Sequence, residues 1–242
     1  MASDNEFEIK DIPLVKDFLG EKNRVEKLMQ QSEQRKIPVI TMETAAVLEA
    51  ICFVYRPVNI IEIGCGTGFS TYFIVKHFLQ LKKGSLPQNL PDLKSGILRY
   101  TGIDLNRQRL SEARDYINGL FSRITKEDEK DGIEIDFICG NAIKIIPELK
   151  GGFDMVFIDA AKMEYPDYLT ALETKMSEGC IVIADNIFYS SKVFNDFISE
   201  HDKNSVNGIR RYIKKITDGN YFSTVFINTG DGIALSVYKK NP

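Results

Sequence analysis

The feature that most constrains this chain is an apolar run that leads, through one acidic residue, into a glycine-rich turn. It spans residues 60–70 and is read Ile-Ile-Glu-Ile-Gly-Cys-Gly-Thr-Gly-Phe-Ser. Glycine adopts left-handed backbone angles at no steric cost, so three alternating glycines predict a tight turn. The free N–H groups of a helix that starts there can face a ligand. The sequence therefore predicts a strand, a ligand-binding turn and a helix.

The spacing of the glycines leaves the ligand open. A dinucleotide-binding turn has the pattern G-x-G-x-x-G, whereas here the third glycine, Gly68, comes one residue early. The second candidate is the turn of class I methyltransferases, which holds the amino-acid half of S-adenosylmethionine and is preceded by an acidic strand residue, here Glu62. The third interpretation is a tight turn that binds nothing, so the neighbouring segments have to decide.

Composition and charge indicate one enzyme-sized globular domain. The chain has 242 residues, 43% of them hydrophobic, and no linker-like or highly charged block divides it. The net charge of −3 gives no general attraction for nucleic acid. The four cysteines stand singly, which is the pattern of neither a disulfide framework nor a zinc site. We expect no signal peptide and no membrane span, and therefore a cytoplasmic protein.

Helix-like and strand-like segments alternate along the chain. The helices predicted from the apolar period cover residues 13–31, 43–55, 69–81 and 107–122, with further helical stretches between later strands. The predicted strands cover residues 58–63, 98–104, 133–138, 155–159 and 180–184, followed by a hairpin over 221–228 and 233–239. Residues 82–91 are rich in loop formers and predict a surface insertion. The fold class is α/β: a doubly wound, Rossmann-like, mostly parallel sheet with an antiparallel C-terminal hairpin and helices on both faces.

A second carboxylate, Asp104, ends the next predicted strand after the glycine-rich turn. A carboxylate in that position can accept two hydrogen bonds from the hydroxyl pair of a ribose. Alternatively, it caps the helix that starts near Arg107. Both interpretations stay open on this segment alone.

Polar side chains also end the fourth and fifth predicted strands. Asp159 closes one, with Lys162 three residues later, and Asp185-Asn186 close the next. Because the carboxyl ends of parallel strands meet at one edge, these groups should lie together. Oxygen donors without a histidine or cysteine beside them suit a hard cation such as Mg²⁺. At a single strand end, loop capping and a solvated lysine would explain them, but two neighbouring ends favour a metal site.

Taken in order, these motifs resemble the cation-dependent O-methyltransferases, the group of catechol and caffeoyl-coenzyme A O-methyltransferases. The resemblance covers about residues 35–240 and rests on Glu62-Ile63-Gly64, Gly66–Ser70, Ile103-Asp104, Gly140-Asn141-Ala142, Asp159–Lys162 with Tyr165, Asp185-Asn186 and Gly230–Ile233. It implies a seven-stranded sheet with the last strand antiparallel and an S-adenosylmethionine-dependent O-methyltransferase as the enzyme class. It also implies a methyltransferase domain over residues 36–242, preceded by a helical segment over 1–35 that covers substrate or contacts a second subunit.

The resemblance further implies roles for individual residues. Those that would bind S-adenosylmethionine are Ile40, through its backbone, with Glu62, Gly64, Gly66, Ser70, Asp104, Ala142 and Asp159. Those that would hold Mg²⁺, or another hard divalent cation such as Ca²⁺ or Mn²⁺, are Asp159, Asp185 and Asn186. Lys162 would be the general base. The implied acceptor is a vicinal hydroxyl of a catechol-like small molecule, with a phenylpropanoid or its coenzyme A ester as candidates, and the implied assembly is a homodimer.

Two other functions remain open. The first is methylation of a hydroxylated uridine in transfer RNA with the same metal site, in which Lys192 and the basic segment 208–215 would contact phosphates. That segment is otherwise explained as the solvated face of a helix. The second is a Rossmann-like, NAD-binding oxidoreductase, which leaves Asp159, Lys162 and Asp185-Asn186 without a role.

Overall fold

The computed structural model describes residues 25–82, 97–124 and 132–240. These residues belong to two compact units, one ending at Val39 and the other beginning at Ile40. In the first unit, residues 25–34 are helical. Most of the helix predicted over 13–31 and almost all of the insertion predicted over 82–91 lie outside the described residues. The predicted division of the chain at residue 35 stays a prediction.

A seven-stranded sheet forms the centre of the second unit. Its strands, in chain order, are β1 (Asn59–Ile63), β2 (Leu98–Asp104), β3 (Ile133–Cys139), β4 (Phe153–Ile158), β5 (Met176–Ala184), β6 (Phe222–Ile227) and β7 (Ile233–Tyr238). Their spatial order is β3-β2-β1-β4-β5-β7-β6. The first five strands pair in parallel, and β7 pairs antiparallel with both β5 and β6. The predicted fold class, including the antiparallel C-terminal hairpin, is confirmed.

Helices connect the strands of this sheet. They are α1 (Met42–Tyr55), α2 (Phe69–Lys82), α3 (Arg107–Ile124), α4 (Ala142–Ile145), α5 (Tyr165–Leu172) and α6 (Glu200–Ile216), with short 3₁₀ turns at Ile146–Glu148, Lys162–Glu164 and Lys192–Phe194. Side-chain caps fix where α1 and α6 begin. The hydroxyls of Thr41 and Ser199 accept hydrogen bonds from the Thr44 and Asp202 amides in the first turns of these helices. No helix among the described residues is long and apolar enough to cross a bilayer.

Burial on both faces explains why the central strands are almost wholly apolar. Four of the five β1 residues are buried, as are five of the six in β4. On one face, α5 and α6 pack their apolar stripes on β4 and β5, and the α6 stripe is formed by Val206, Ile209, Tyr212 and Ile216. This layer fixes where the residues that follow β4 and β5 can lie.

Strand β5 is longer than the sequence predicts. It begins at Met176, four residues before the predicted start, and its register with β4 shifts between Phe153 and Met155. The segment Ser177-Glu178-Gly179 carries no apolar alternation, so its pairing depends on the neighbouring strand rather than on its own sequence.

The strand order reverses between β1 and β4, because the chain builds outward from β1 first through β2 and β3 and then through β4 and β5. In open α/β sheets, ligands bind in the crevice beyond the carboxyl ends of the strands at such a switch point. The glycine-rich turn follows β1 and Asp159 follows β4, so the topology places both predicted groups at this crevice.

A single glycine allows α6 to approach the segment after β4. Gly208 is buried, and a Cβ atom there would come within 2.5 Å of the Met163 Cα and 2.6 Å of the Lys162 carbonyl oxygen. Those neighbours are backbone atoms and cannot rotate away. The position of Lys162 therefore depends on the absence of a side chain at residue 208.

We predict that Gly208→Ala lowers the free energy of unfolding by about 1–3 kcal/mol, because the methyl group has to push the two backbones apart. The matched control is Gly119→Ala in α3, where a Cβ would meet nothing within 4 Å. That variant should gain up to about 1 kcal/mol from helix propensity alone. Urea unfolding of both variants measures the difference, and equal behaviour of the two would contradict the packing argument.

Candidate active site

The glycine-rich turn has the left-handed backbone that its sequence predicts. Gly64, Gly66 and Gly68 have φ values of +94°, +53° and +88°. Gly64 is also the point of closest approach to β4, since a Cβ there would lie 2.1 Å from the Asp159 carbonyl oxygen. The amide of Asp159 donates to the Ile63 carbonyl at 2.9 Å. The turn and Asp159 are therefore fixed against each other through their backbones.

Glu62 is fully buried beneath this turn and is held by three hydroxyl groups. Its carboxylate accepts hydrogen bonds from Ser70 and Tyr100, and from Thr71 at 2.8 Å. Burial raises the pKa of Glu62 from its ordinary value of 4.5 to about 7, while the three hydroxyl bonds act in the opposite direction. In this structure Glu62 positions Ser70 and the start of α2 from inside the protein.

Sequence reasoning missed Thr71 and Tyr100 as members of this site. Tyr100 lies in β2 and donates to Glu62 in the neighbouring strand β1, with room provided by Gly102, where a Cβ would be 2.7 Å from the Tyr100 hydroxyl. A tyrosine and a glycine inside a short strand are the signal that could have indicated a buried polar contact. The pairing of the strands, which a single sequence does not give, was needed to place it.

Asp104 ties the end of β2 to the glycine-rich turn. Its carboxylate accepts from the Gly66 amide at 3.0 Å and from the Asn106 amide at 2.8 Å. The alternative that Asp104 caps α3 is not what the structure shows, because Asn106 accepts from the Arg109 amide at 3.0 Å and is the cap. Asp104 therefore lies at the crevice, beside the turn.

Two other predicted cofactor residues lie at the ends of neighbouring elements. Ala142 is buried at the start of α4, where the Asn141 side chain accepts from the Ile143 amide at 2.9 Å. Ile40 is also buried and comes just before the Thr41 cap of α1. Both are positioned by helix starts, as is Ser70 at the start of α2.

Lys162 connects the ends of β4 and β5. Its ammonium donates to Asp159 Oδ1 at 2.8 Å, to the Tyr165 hydroxyl at 2.6 Å and to the Asp185 carbonyl at 3.4 Å. Tyr165 is fully buried and itself donates to the Asp185 carbonyl at 3.0 Å. Burial raises the Tyr165 pKa well above its ordinary value, so this hydroxyl stays protonated. The three groups that the sequence predicted to converge, Asp159, Lys162 and Asp185, are brought together.

The Asp185 carboxylate is the least compensated of these groups. It is 1% exposed, and Thr44 donates to its Oδ1 at 3.4 Å, a long hydrogen bond. Burial, followed by the charge of Asp159, raises its pKa to about 6, although the charge of Lys162 and the hydrogen bonds from the Asn186 amide and Thr44 act in the opposite direction. A buried carboxylate with so little compensation fits a cationic ligand.

The donors available to a cation are two carboxylates and an amide. Nowhere in the described ranges do three or more histidine, cysteine, aspartate or glutamate side chains form a group that could hold a metal ion. Asp159, Asp185 and Asn186 supply oxygen donors at adjacent strand ends, which is the chemistry of Mg²⁺ sites that keep several waters. The residues present therefore fit a hard divalent cation.

The chain belongs to the O-methyltransferase family, whose sequence model matches residues 19–239. This match confirms the predicted family and enzyme class. Among characterised relatives, the catechol O-methyltransferase of Niastella koreensis is 27% identical over 190 residues, which are 75% of this chain and 73% of the relative.

Solved structures share the fold. The O-methyltransferase TomG of Streptomyces achromogenes, involved in tomaymycin synthesis and solved with S-adenosylmethionine, is 21% identical, with a TM-score of 0.67 and 89% of each chain covered. An O-methyltransferase of Bacillus cereus, solved with S-adenosylhomocysteine, is also 21% identical, with a TM-score of 0.67 over 89% of this chain and 90% of the other.

We predict that Glu62 makes the stability of the ligand-free protein pH-dependent. Because its pKa is higher in the folded than in the unfolded state, the free energy of unfolding falls as the pH rises from about 4.5 to about 7. Glu62→Gln removes this loss. The quantity to compare is the free energy of unfolding of the variant minus that of the wild type at each pH. This difference should be more favourable to the variant at pH 8 than at pH 5, by up to about 3 kcal/mol.

Urea unfolding at the two pH values measures this effect. Glu148→Gln is the matched control, because the Glu148 side chain is exposed. The free energy of unfolding of this variant, relative to the wild type, should be nearly the same at both pH values. An offset between Glu62→Gln and the wild type that does not change with pH would show that the buried carboxyl is not the cause.

Proposed function

We propose that this enzyme transfers the methyl group of S-adenosylmethionine to one hydroxyl of a catechol-like small molecule, with a divalent cation bound beside the acceptor. The observation that carries the proposal is the convergence of Asp159, Lys162 and Asp185 directly beside the Gly64 turn. A cofactor turn and a cluster of oxygen donors at one crevice suit transfer of a methyl group to a hydroxyl oxygen placed between them. The name of the Niastella relative supports the same acceptor class.

The cofactor would lie along the carboxyl ends of β1, β2 and β3. In that position the turn from Gly64 to Ser70 would receive the methionine end, Asp104 the ribose and Ala142 the adenine edge. The Gly66 amide and the Asp104 carboxylate are already joined at 3.0 Å, so the turn and the ribose acceptor form one unit. In-line displacement needs the donor methyl and the acceptor oxygen held in one geometry, and a rigid turn supplies half of it.

The cation would be held by Asp159, Asp185 and Asn186. When bound, it would lower the pKa of a phenolic hydroxyl, which is ordinarily near 10. Two neighbouring hydroxyls would give the acceptor two points of attachment, and this favours a vicinal diol over a single phenol. A phenylpropanoid or its coenzyme A ester would satisfy this requirement.

Lys162 would first neutralise charge and then accept a proton. All three N–H groups of its ammonium have acceptors in this structure, namely Asp159, Tyr165 and Asp185. An ammonium has no lone pair, so Lys162 has to release a proton to solvent before it can act as a general base. A second positive charge beside it would favour that release.

The alternative acceptor, transfer RNA, has less support. Two basic residues proposed to contact phosphates are engaged within the protein: Arg210 donates to the Val193 and Asn195 carbonyls at 3.0 and 2.6 Å, and Lys192 pairs with Asp202 at 2.9 Å. A phosphate contact would have to compete with these bonds. The oxidoreductase alternative loses its support with the family match.

The first test is release of S-adenosylhomocysteine from S-adenosylmethionine with caffeate as acceptor, with Mg²⁺ and with EDTA. We expect turnover with Mg²⁺ and none with EDTA, because the acceptor hydroxyl stays protonated without the cation. Turnover that EDTA leaves unchanged would remove the metal from the proposal. Cofactor binding without turnover of caffeate would exclude simple catechols and turn the search to other hydroxylated acceptors, including transfer RNA.

A pair of variants serves as the internal control for that assay. Asp159→Ala should abolish Mg²⁺-dependent turnover. Although Asp159 is one of the predicted cofactor residues, binding of S-adenosylmethionine should stay within a few-fold of wild type, because the Asp159 carboxylate accepts from Lys162, whereas the Gly66 amide of the glycine turn donates to Asp104. Asp167→Ala, an exposed carboxylate in the first turn of α5, should change neither. Full activity of Asp159→Ala would contradict the metal assignment.

We also propose that the protein is a cytoplasmic homodimer. Apolar side chains are exposed on the outer strands β6 and β7, with Val225 57%, Phe226 44% and Val237 40% exposed, and a second copy would cover them. All four cysteines are free, as expected in a reducing compartment. Sedimentation velocity tests the assembly: a dimer is expected, and a species of 27.5 kDa at micromolar concentration would contradict it.

A further inference from the structure

The turn between β6 and β7 contains the motif Gly230-Asp231-Gly232, which has no role in the site described so far. It contacts the segment that follows β5. The amides of Ile187 and Phe188 donate to the carbonyls of Gly232 and Asp231 at 3.0 and 2.9 Å. The Ser190 amide donates to both carboxylate oxygens of Asp231, at 2.7 and 2.8 Å. The pairing between β5 and β7 thus continues beyond the strand ends, past Asn186.

The contacted segment has an unusual backbone. Tyr189, Ser190 and Ser191 have φ values of +47°, +52° and +60°, and Asn186 has +56°. Left-handed angles are costly for residues with a Cβ atom, and three in succession without a glycine are rare. Such a conformation persists only where neighbouring groups determine it. The carboxylate of Asp231 bonds to the middle residue of the three.

The two glycines of the motif allow the turn to approach its neighbours closely. A Cβ on Gly232 would lie 2.4 Å from the Phe188 ring, and one on Gly230 would lie 3.0 Å from the Thr44 hydroxyl oxygen. Thr44 is the residue that donates to the Asp185 carboxylate. The turn therefore contacts the surroundings of Asp185-Asn186 from two sides, through Thr44 and through the segment after Asn186.

A second set of contacts holds the far end of the same segment. The Tyr189 hydroxyl donates to Asp202 at 3.2 Å, Lys192 pairs with Asp202, and Arg210 donates to the carbonyls of Val193 and Asn195. These contacts come from α6, and Asp231 adds to them only the attraction of its charge for Lys192. Loss of Asp231 should consequently affect the first part of the segment, up to Ser191, more than the part that follows.

We propose that Asp231 is a positioning residue. It fixes the segment 186–191, which contains the left-handed residues, and thereby the position of the Asn186 side chain relative to the Asp185 carboxylate. The consequence for catalysis rests on the proposed function, in which Asn186 is a cation donor. The effect of Asp231 on the segment 186–191 does not rest on the proposed function, because it follows from hydrogen bonds and backbone angles alone. Asp231 acts through the backbone of Ser190 and contacts neither cofactor nor acceptor in this proposal.

The first experiment measures the segment itself, without any ligand. Hydrogen exchange of Asp231→Ala, followed by mass spectrometry, should be faster by about tenfold or more in peptides covering 186–191, which corresponds to the loss of one charge-assisted hydrogen bond. Peptides covering 192–198 and β4 should change much less. The matched control is Asp218→Ala, which removes an exposed aspartate that accepts the Asn220 amide two residues on, at 3.0 Å.

A rescue variant separates backbone positioning from a general loss of structure. Glycine adopts φ > 0 without steric cost, so Ser190→Gly in the Asp231→Ala background should recover part of the protection, whereas Ser190→Ala in the same background should not. Exchange in 186–191 that is unchanged by Asp231→Ala, or equal recovery by both second substitutions, would overturn the proposal.

The second experiment measures the consequence for the site. In Asp231→Ala, the dissociation constant for Mg²⁺ by titration calorimetry should rise and kcat with caffeate should fall, both by about tenfold, while the affinity for S-adenosylmethionine stays within twofold. Faster exchange together with unchanged Mg²⁺ affinity and kcat would reject the positioning role. Failure of the wild type to use caffeate or to bind Mg²⁺ would instead count against the proposed function, and the exchange result would stand independently.

Discussion

Gly64 and Asp159 lie so close together that no side chain fits between them, since a Cβ on Gly64 would be 2.1 Å from the Asp159 carbonyl oxygen. This contact joins the carboxyl ends of β1 and β4, the two strands between which the order of the sheet reverses. On one side of it lie the glycine-rich turn and Asp104, and on the other lie Lys162 and Asp185. A side chain at residue 64 would separate the two sets of groups, so the candidate site depends on this one glycine.

Four carboxylates lie at or near the carboxyl ends of four neighbouring strands, and each is compensated in a different way. Glu62 is bound by hydroxyls, Asp104 by backbone amides and Asp159 by the Lys162 ammonium. Asp185 has a long hydrogen bond from Thr44 and one from the Asn186 amide, and these leave its pKa raised. Because a buried carboxylate without compensation is costly, the position of least compensation is where a cation would stabilise the fold most. The site thus concentrates negative charge at the place where the proposed chemistry needs a positive ion.

The sequence predicted which strand-end residues lie at this site, but it did not predict most of the side chains that contact them. Asp104, Asp159 and Asp185 each belong to a local pattern, a strand that ends in a polar residue, and Gly64 belongs to the glycine-rich turn; the parallel topology then brings the strand ends together. The partners Thr44, Thr71 and Tyr100 belong to no such pattern. Thr44 is 141 residues from Asp185 in the chain, and its contact depends on how α1 packs, which local periodicity does not determine.

A similar limit applies to the turn between β6 and β7. Its sequence, Thr-Gly-Asp-Gly, predicts a hairpin, and the structure has one. The two glycines, however, are needed for contacts outside the hairpin. Their nearest neighbours are Thr44 in α1 and Phe188 after β5. Turn chemistry explains why a glycine is allowed at such a position, and only the tertiary structure explains why a larger residue is excluded.

The two halves of the crevice are held by different parts of the chain. On the side of β1 and β2, the glycine-rich turn and the start of α2 are held by Asp104, which accepts from the Gly66 amide, and by Glu62, which accepts from the hydroxyls of Ser70 and Thr71. Beyond β5, the segment after Asn186 is held by side chains from the last hairpin and from α6, chiefly Asp231, Asp202 and Arg210. The residues that hold the glycine-rich turn and those that hold the segment after Asn186 thus belong to different elements of the fold. A substitution of Asp231 can therefore alter the segment after Asn186 and leave the hydrogen bonds of the glycine-rich turn in place.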